Sequence, residues 1–208
     1  GPAYLAAAKA GEAYFLHGLS EAGESLFALQ LPSRGHAAAA HPTRPLAVAF
    51  ARRPGTFAVV IDCATGVESA RLIPPDGRQF NGHGVFSADG SILYTSEVVA
   101  ETSQGRIGLW DATRFVRIGE WASGGIGPHD IKRLGDTLVI ANGGIQTDPT
   151  DRTKLNLGSM RPNLTQLSVT GQVLAQADLP DLPQNSIRHL AVGQGGQVAF
   201  AMQWEGDP

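Results

Sequence analysis

The sequence has little cysteine, little charge and no long apolar run. Because Cys63 is the single cysteine among these 208 residues, they can form neither an internal disulfide nor a cysteine zinc cluster. The 16 Lys and Arg are mixed with 19 Asp and Glu, so there is no basic stripe for nucleic acid. No apolar run approaches the roughly 20 residues of a membrane helix, and no basic segment followed by an apolar one opens the chain. We therefore expect a soluble protein with no nucleic-acid partner, no membrane span and any export signal already removed.

Familiar catalytic motifs are missing as well. The chain contains no GxSxG nucleophile elbow, no phosphate-binding loop and no HExxH. The sequence therefore argues against the common classes of hydrolase and of nucleotide-dependent enzyme. Turn-forming residues are plentiful, with 26 glycines and 13 prolines. This density of turn formers favours a β-rich chain over a helical one.

A fourfold internal repeat is the most informative feature. Each copy opens near a histidine, runs about five residues, turns and enters an apolar strand. Successive histidines are 47, 46 and 60 residues apart. A period in the forties with several short strands is typical of a β-propeller blade. The copies are RGHAAAAHPTRPLAVAFA from Arg34, NGHGVFSADGSILYTSE from Asn81, GPHDIKRLGDTLVIANGG from Gly127 and IRHLAVGQGGQVAFAMQ from Ile187.

The repeat predicts an all-β, single-domain β-propeller. Residues 1–32 are expected to hold strands B to D of a first blade, and residues 33–75 and 80–122 the second and third blades. Residues 127–180 form the fourth, with a long BC loop over 142–163, and residues 186–208 start a fifth. Because a propeller closes into a ring to hide its strand edges, about four blades plus two strands predict part of a longer protein.

Polar residues recur at a second place in the repeat. In a blade, the start of strand A and the end of strand B lie on one face, with A lining the central channel. The four histidines and the B-strand ends should therefore surround one channel mouth, with the insert after Asn142 as a lid. The residues in question are His36, His83, His129 and His189, followed after 13 to 16 residues by Arg52 with Arg53, Glu97, Asn142 and Gln203.

Structural roles compete with functional ones at these positions. In WD-repeat propellers, a histidine before strand A bonds to an Asp and a hydroxyl of its own blade. Here the matching acids and hydroxyls do not repeat with the histidines. Glu97 can equally be an exposed strand end, and Arg52 with Arg53 a surface pair that holds the BC loop.

Three functions fit such a rim. Several neutral imidazoles and a carboxylate suit a borderline metal: iron, copper or zinc. An Arg, a His and a Glu around a pocket can instead hold an anionic substrate and move a proton, as in lactonase-like or cyclase-like propeller enzymes. In the third interpretation the face is a protein-interaction platform that uses the loop from Ile145 to Arg161.

Longer motifs carry a family resemblance across essentially the whole chain. FARRPGTF, FNGHGVFSADG, YTSE, IGLWD, GIGPHDI, VIANGGIQTDP, KLNLGSMRPNL and SIRHLAV resemble those of an uncharacterised bacterial propeller family, domain of unknown function 1513. The resemblance implies a seven-bladed propeller, exported to the periplasm with a twin-arginine-type leader and encoded beside imelysin-like iron-uptake proteins. The chain departs from the family pattern at Asp148, where the family tends to have His, and at Ser96 and Val98, where it has Thr and Asn.

These observations lead to one hypothesis about function. We expect a periplasmic propeller that serves metal acquisition, with iron as the first candidate and imelysin-like proteins as partners, and that is not itself an enzyme. Binding through neutral imidazoles should weaken as the pH falls below about 6.5. The predicted ligands are His36, His83, His129, His189 and Glu97, and the predicted outer contacts are Arg52, Arg53, Asn142 and Gln203.

Overall fold

A computed structural model describes residues 1–206 and confirms the all-β prediction. Seventeen strands form five antiparallel sheets. The first sheet contains β1 (Tyr4–Ala10), β2 (Ala13–Leu19) and β3 (Ser25–Leu31), and the second contains β4 (Gly35–Ala40), β5 (Leu46–Ala51), β6 (Ala58–Asp62) and β7 (Val67–Leu72). The third contains β8 (Arg78–Phe86), β9 (Ile92–Val99), β10 (Gln104–Asp111) and β11 (Val116–Ile126). The fourth contains β12 (Pro128–Leu134), β13 (Thr137–Asn142), β14 (Asn163–Leu167) and β15 (Val173–Asp178), and the fifth β16 (Asn185–Val192) and β17 (Val198–Trp204).

The sheets are arranged around a common axis, as in a β-propeller. Every sheet is a meander in chain order. The strands β4, β8, β12 and β16 contact one another in succession, each against the corresponding strand of the next sheet. These four are therefore the inner strands that line the axis, as strand A does in a propeller. The predicted blade boundaries and the count of seven blades stay predictions.

The hydrophobic core lies between neighbouring sheets. β5 is buried along its whole length, which suits a strand covered by a sheet on each side. Between the second and third sheets, Phe50 packs against Phe80 with ring centroids 6.3 Å apart, and Phe80 lies 5.9 Å from the ring of Trp110. Large aromatic side chains fill this wedge because adjacent twisted sheets diverge outward from the axis.

All four inner strands carry a bulge at the repeat histidine. Between Phe80 and Gly84, for example, β8 places three residues opposite the single Ser96 of β9. A bulge leaves residues unpaired and turns their side chains away from the ordinary strand faces. The four register shifts fall at Gly35/Ala38, Phe80/Gly84, Pro128/Asp130 and Ile187/Leu190, and each contains one repeat histidine.

Two strand boundaries differ from the sequence prediction. β8 begins at Arg78, so His83 lies inside a bulged strand and not at its start. β9 continues to Val99, so Glu97 lies within the strand and not at its end. Within residues 1–206 the one helical element is the 3-10 turn Leu157–Ser159 in the long loop, and no helix is long and apolar enough to cross a membrane.

Candidate functional site

The four repeat histidines meet at the axis and form a compact cluster, here called the histidine cluster (His36, His83, His129 and His189). His36 and His83 have ring centroids 4.9 Å apart, and His129 and His189 are also 4.9 Å apart. The other four centroid distances lie between 5.3 and 6.4 Å. Four rings from four blades therefore share one small volume, although 153 residues of chain separate the first from the last.

Glycine backbone conformation makes the close approach of two of these rings possible. Gly82 has φ +100°, a conformation that residues with a side chain rarely adopt. A Cβ at this position would lie 2.5 Å from Cδ2 of the His36 ring. Gly82 thus both turns the chain into the β8 bulge and leaves room for the neighbouring imidazole. The Ser96 hydroxyl completes the bulge by accepting from the His83 amide at 3.3 Å and donating to its carbonyl at 3.1 Å.

A buried carboxylate orients one ring of the histidine cluster. The Nδ1 of His83 lies 3.1 Å from Oδ1 of Asp130. Since a carboxylate can only accept, Nδ1 carries the proton, and Nε2 is the nitrogen left free to bind a metal. Asp130 is 1% exposed, and it also accepts from the amides of Ile131 and Leu190 and from the Lys132 ammonium. Burial alone would raise the pKa of Asp130, but the hydrogen bond from His83, together with the Lys132 charge and the Leu190 amide, holds it well below its usual range.

The contact between His83 and Asp130 differs from the structural pairing of WD-repeat histidines. Asp130 lies on β12, in the blade after the one that contains His83. The Ser96 hydroxyl in the same blade as His83 contacts its backbone and not its ring. The imidazole of His83 is therefore held between blades, at the axis, and its second nitrogen is not used by the blade.

Three buried polar atoms around the cluster have no hydrogen-bond partner in residues 1–206. They are Nε2 of His83, Nδ1 of His129 and Oδ1 of Asn81. All three residues are at least nine-tenths buried. The other end of the Asn81 amide is anchored, because its Nδ2 donates to the carbonyl of Pro128. Since buried polar groups are nearly always satisfied in native proteins, these three atoms mark a place that would hold ordered water, an ion or another small group.

The surroundings lower the pKa of three cluster imidazoles, those of His36, His129 and His189, which favours their neutral form at physiological pH. Burial is the main cause that lowers the pKa of His129 to about 2, and the nearby His83, Arg188 and Arg53 lower it further. The pKa of His36, whose residue is exposed overall but whose ring is partly enclosed by the cluster, is lowered to about 4, first by this partial enclosure and then by His83 and His189. The pKa of His189 is lowered in the same way. A neutral imidazole is the form that binds metals.

The donor atoms are close enough together to serve one metal ion. One ligand atom from each of His36, His83 and His129 lies within 4.8 Å of the others. A second set within the same limit consists of His83, Asp130 and His189. Zinc and similar ions bind imidazole nitrogen at about 2.0–2.1 Å, which places two ligands of a tetrahedral site about 3.4 Å apart. Small side-chain rotations toward a shared centre would close the first set around an ion.

A cavity of about 520 Å³ opens above the histidine cluster. His36, His129 and His189 line it, together with Asn81. Three of the predicted outer contacts, Arg52, Arg53 and Gln203, also line it, as expected from their positions after the B strands. Residues of the long loop between β13 and β14 form another part of the wall, so this loop lies on the predicted face.

Glu97 does not lie with the histidines, which corrects its assignment as a metal ligand. It is fully buried within the third sheet. Its Oε1 accepts from the Thr95 hydroxyl at 2.6 Å and from the Arg117 guanidinium at 2.7 Å. The side chain lies on the face of the third sheet that it shares with Thr95, because alternate residues of a strand face the same side. Within residues 1–206 it is not among the side chains that line the cavity.

Asn142 is likewise a structural residue and not an outer contact of the site. It is fully buried at the end of β13. Its Oδ1 accepts from the Ser123 hydroxyl at 2.7 Å, and its Nδ2 donates to the Ser123 carbonyl at 3.0 Å and to Asn163 Oδ1 at 3.0 Å. These bonds tie β13 to its neighbours β11 and β14 and use the amide completely.

Sequence reasoning missed several residues of the site. Asp130 directly follows His129 and Arg188 directly precedes His189, so each lies in a repeat motif, but only the bulges reveal that they reach the site. Arg152 and Lys154 lie in an insert without any repeat, and no local pattern marks them. Asn81 is two residues before His83, and its role depends on its unpartnered oxygen.

Comparison of the sequence with known domain-family models identifies its family. The model described as "Protein of unknown function (DUF1513)" matches residues 29–208. The chain belongs to the DUF1513 family. The match covers all four repeat histidines of this DUF1513 chain. Among curated proteins no match is found.

A solved structure supports the same architecture for the DUF1513 chain. Hydrazine synthase of Kuenenia stuttgartiensis is similar to it with a TM-score of 0.71 at 15% sequence identity. The alignment covers 93% of this chain and 50% of that one, so this chain spans about half the length of the structure it matches. At this identity the similarity concerns the fold alone.

Proposed function

We propose that this chain is a periplasmic metal-binding propeller, a binding or accessory component of iron acquisition, which holds the metal in the histidine cluster. One observation carries the proposal: four imidazoles from four blades lie within 6.4 Å of one another, ring centroid to ring centroid. Packing alone gives no reason for this arrangement, because leaving imidazole nitrogens buried and unpartnered costs stability.

The chemistry of the donors favours a first-row transition metal. Neutral imidazoles suit iron, copper and zinc, whereas calcium and magnesium prefer oxygen ligands. The Asp130 carboxylate behind His83 is the outer partner that metal-bound histidines commonly have. Iron is the ion expected in the cell, since the family resemblance implies imelysin-like iron-uptake proteins as neighbours and partners.

The proposal is tested by metal content and metal affinity. Protein purified from periplasm is analysed by elemental mass spectrometry, then stripped with chelator and titrated with Fe(II), Cu(II) and Zn(II). We expect one ion per chain in the wild type, and a loss of affinity of ~100-fold or more in the double variant His83→Ala, His129→Ala, since two ligands are removed. His17→Ala is the matched control, because the His17 ring is bonded to Ser25 Oγ and not to the cluster.

Equal metal content and affinity in the wild type and the double variant would overturn the proposal. Since His83 and His129 are buried, the double variant is checked for a folded state by thermal unfolding. If the double variant fails to fold, substitutions of the exposed cluster members His36 and His189 provide a second test of the site. Their single Gln variants should each weaken binding while the fold is retained, and full affinity in both would contradict the site.

A further inference from the structure

The cavity above the histidine cluster is lined by cations from three separate parts of the fold. Arg52 and Arg53 come from the turn after β5. Arg152 and Lys154 come from the long loop after β13, and Arg188 comes from the bulge of β16. A concave site that collects one sign of charge attracts the opposite charge strongly.

The positive charge of this cavity is only partly neutralised by the protein. Glu205 accepts from Arg188 at 2.7 Å and also pairs with Lys154. Within residues 1–206, Arg52, Arg53 and Arg152 form no ion pair with a carboxylate. Among the described residues, these five cations and the Glu205 carboxylate paired with two of them carry a net charge of +4 when all are ionised.

Some donors of these cations are not used by the described part of the protein. The Nε atoms of Arg152 and Arg188 are buried and have no hydrogen-bond partner in the described part of the chain. Burial, together with the neighbouring Arg188, Arg152 and Arg52, lowers the pKa of Arg53 to about 10. Since such crowding of guanidinium groups is unfavourable without an anion, a bound anion would relieve both the charge and the unmet hydrogen bonds.

We propose that this cavity binds a small polyanion with several carboxylate or phosphate groups, so that the metal reaches the histidine cluster as an anionic chelate and not as a hydrated cation. The metal half of this statement rests on the proposed function, but the anion half does not. Guanidinium groups match carboxylate and phosphate oxygens with paired hydrogen bonds. A volume of about 520 Å³ suits a small molecule.

The charge of the wall explains why a chelate is preferred over a free ion. A hydrated divalent cation must approach the imidazoles past five cationic side chains, which repel it. An anionic chelate is attracted by the same groups and brings its metal to the histidine nitrogens. Exchange of chelate oxygens for imidazole nitrogens would then transfer the ion without a change of oxidation state.

The experiment is a calorimetric titration of the full chain with citrate, with pyrophosphate and with their Fe(III) and Zn(II) complexes. The wild type should bind at least one free anion in the metal-free state, and binding should weaken as salt is raised. The variant Arg53→Gln, Arg152→Gln should lose ~10-fold or more in affinity for that anion, since charge-assisted hydrogen bonds are removed. Arg133→Gln is the matched control, because Arg133 is an exposed residue of β12 that does not line the cavity.

The outcomes separate this inference from the proposed function. Anion binding that persists in the double variant His83→Ala, His129→Ala supports the anion site even if no metal binds. Equal anion affinity in the wild type and the Arg53→Gln, Arg152→Gln variant overturns the inference. Failure of both citrate and pyrophosphate to bind at millimolar concentration also overturns it. Both outcomes count whether or not the histidines bind metal. Preference between the two anions decides whether the physiological ligand carries carboxylates or phosphates.

Discussion

Replacing Asp130 by Asn tests how the site orients its metal ligand. The change removes one negative charge and keeps the shape of the side chain. The carboxylate uses both oxygens: Oδ1 lies 3.1 Å from Nδ1 of His83 and accepts from the Ile131 amide and the Lys132 ammonium, and Oδ2 accepts from the Leu190 amide at 2.9 Å. An Asn offers a single oxygen, and that oxygen carries no charge. It should therefore hold the Nδ1 proton of His83 less strongly, so that the fraction of His83 with a free, metal-binding Nε2 falls.

The expected effects follow from the contacts of this carboxylate. Loss of an outer partner of a metal-bound histidine typically weakens metal binding by ~10-fold to 100-fold, or about 1.4–2.7 kcal/mol. Asp130 also loses its ion pair with Lys132, and hydrogen bonds to a charged group contribute about 1.5–3 kcal/mol each, so the free energy of unfolding should fall by about that amount. Competition with a coloured chelator measures the affinity, and urea unfolding measures the stability.

A matched variant separates the orienting role from a general loss of stability. Asp111→Asn changes a carboxylate that also accepts from two backbone amides, those of Thr113 and Arg114, at the end of β10. It should lower stability without changing metal affinity. If Asp130→Asn binds Zn(II) and Fe(II) as tightly as Asp111→Asn does, the argument from the His83 tautomer is refuted.

Three further predictions follow from the geometry. Gly82→Ala should displace the His36 ring and weaken metal binding. Gly77 also has a positive φ, of 73°, but a Cβ there would have nothing within 4 Å, so Gly77→Ala should only lower the free energy of unfolding by about 1–2 kcal/mol. Equal metal affinity in the two variants would contradict the contact between residue 82 and His36. Because the pKa of His129 falls from 6.5 to about 2 on folding, the unfolded chain binds a proton below pH 6.5 that the folded chain does not. Through His129 alone, the free energy of unfolding of metal-free protein should therefore decrease by about 2 kcal/mol from pH 6.5 to pH 5, and the lowered pKa values of His36 and His189 add to this decrease. Urea titration measures the decrease, and a flat profile would show that His129 is not buried in neutral form. Asn142→Leu should lower the free energy of unfolding by about 1–3 kcal/mol by removing the hydrogen bonds of Asn142 to the Ser123 hydroxyl and carbonyl, with metal affinity retained. A large loss of metal affinity would show that Asn142 belongs to the site.

Much of the architecture was predictable because it depends on local patterns. The repeat of histidine, turn and apolar strand has a period that only a blade-like unit explains, and the turn residues are close in sequence to the strands that they join. The shared position of the histidines at the axis was also predictable, because equivalent positions in successive blades lie around the same channel. Arg52, Arg53 and Gln203 line the cavity for the same reason, and their role as outer contacts of a ligand stays a prediction.

The failures at Glu97 and Asn142 have one physical cause. Both lie near the ends of B strands, where the repeat predicts a rim position. Whether such a side chain faces the channel or the next blade depends on the exact register, and a shift of one residue reverses the face. The bulges that set this register involve hydrogen bonds between two strands, and no single-strand pattern reveals them.

The sequence by itself determined the all-β class, the repeated unit and the residues that recur at the inner edge of each blade, since these follow from hydrophobic alternation and turn chemistry along a short stretch of chain. Only the tertiary structure decided that four bulges direct the imidazoles into one cluster and that Asp130 reaches across a blade to His83. It also decided that arginines from distant segments surround the same cavity. Contacts of this kind join residues tens of positions apart, and they exist only when the blades have packed around their axis.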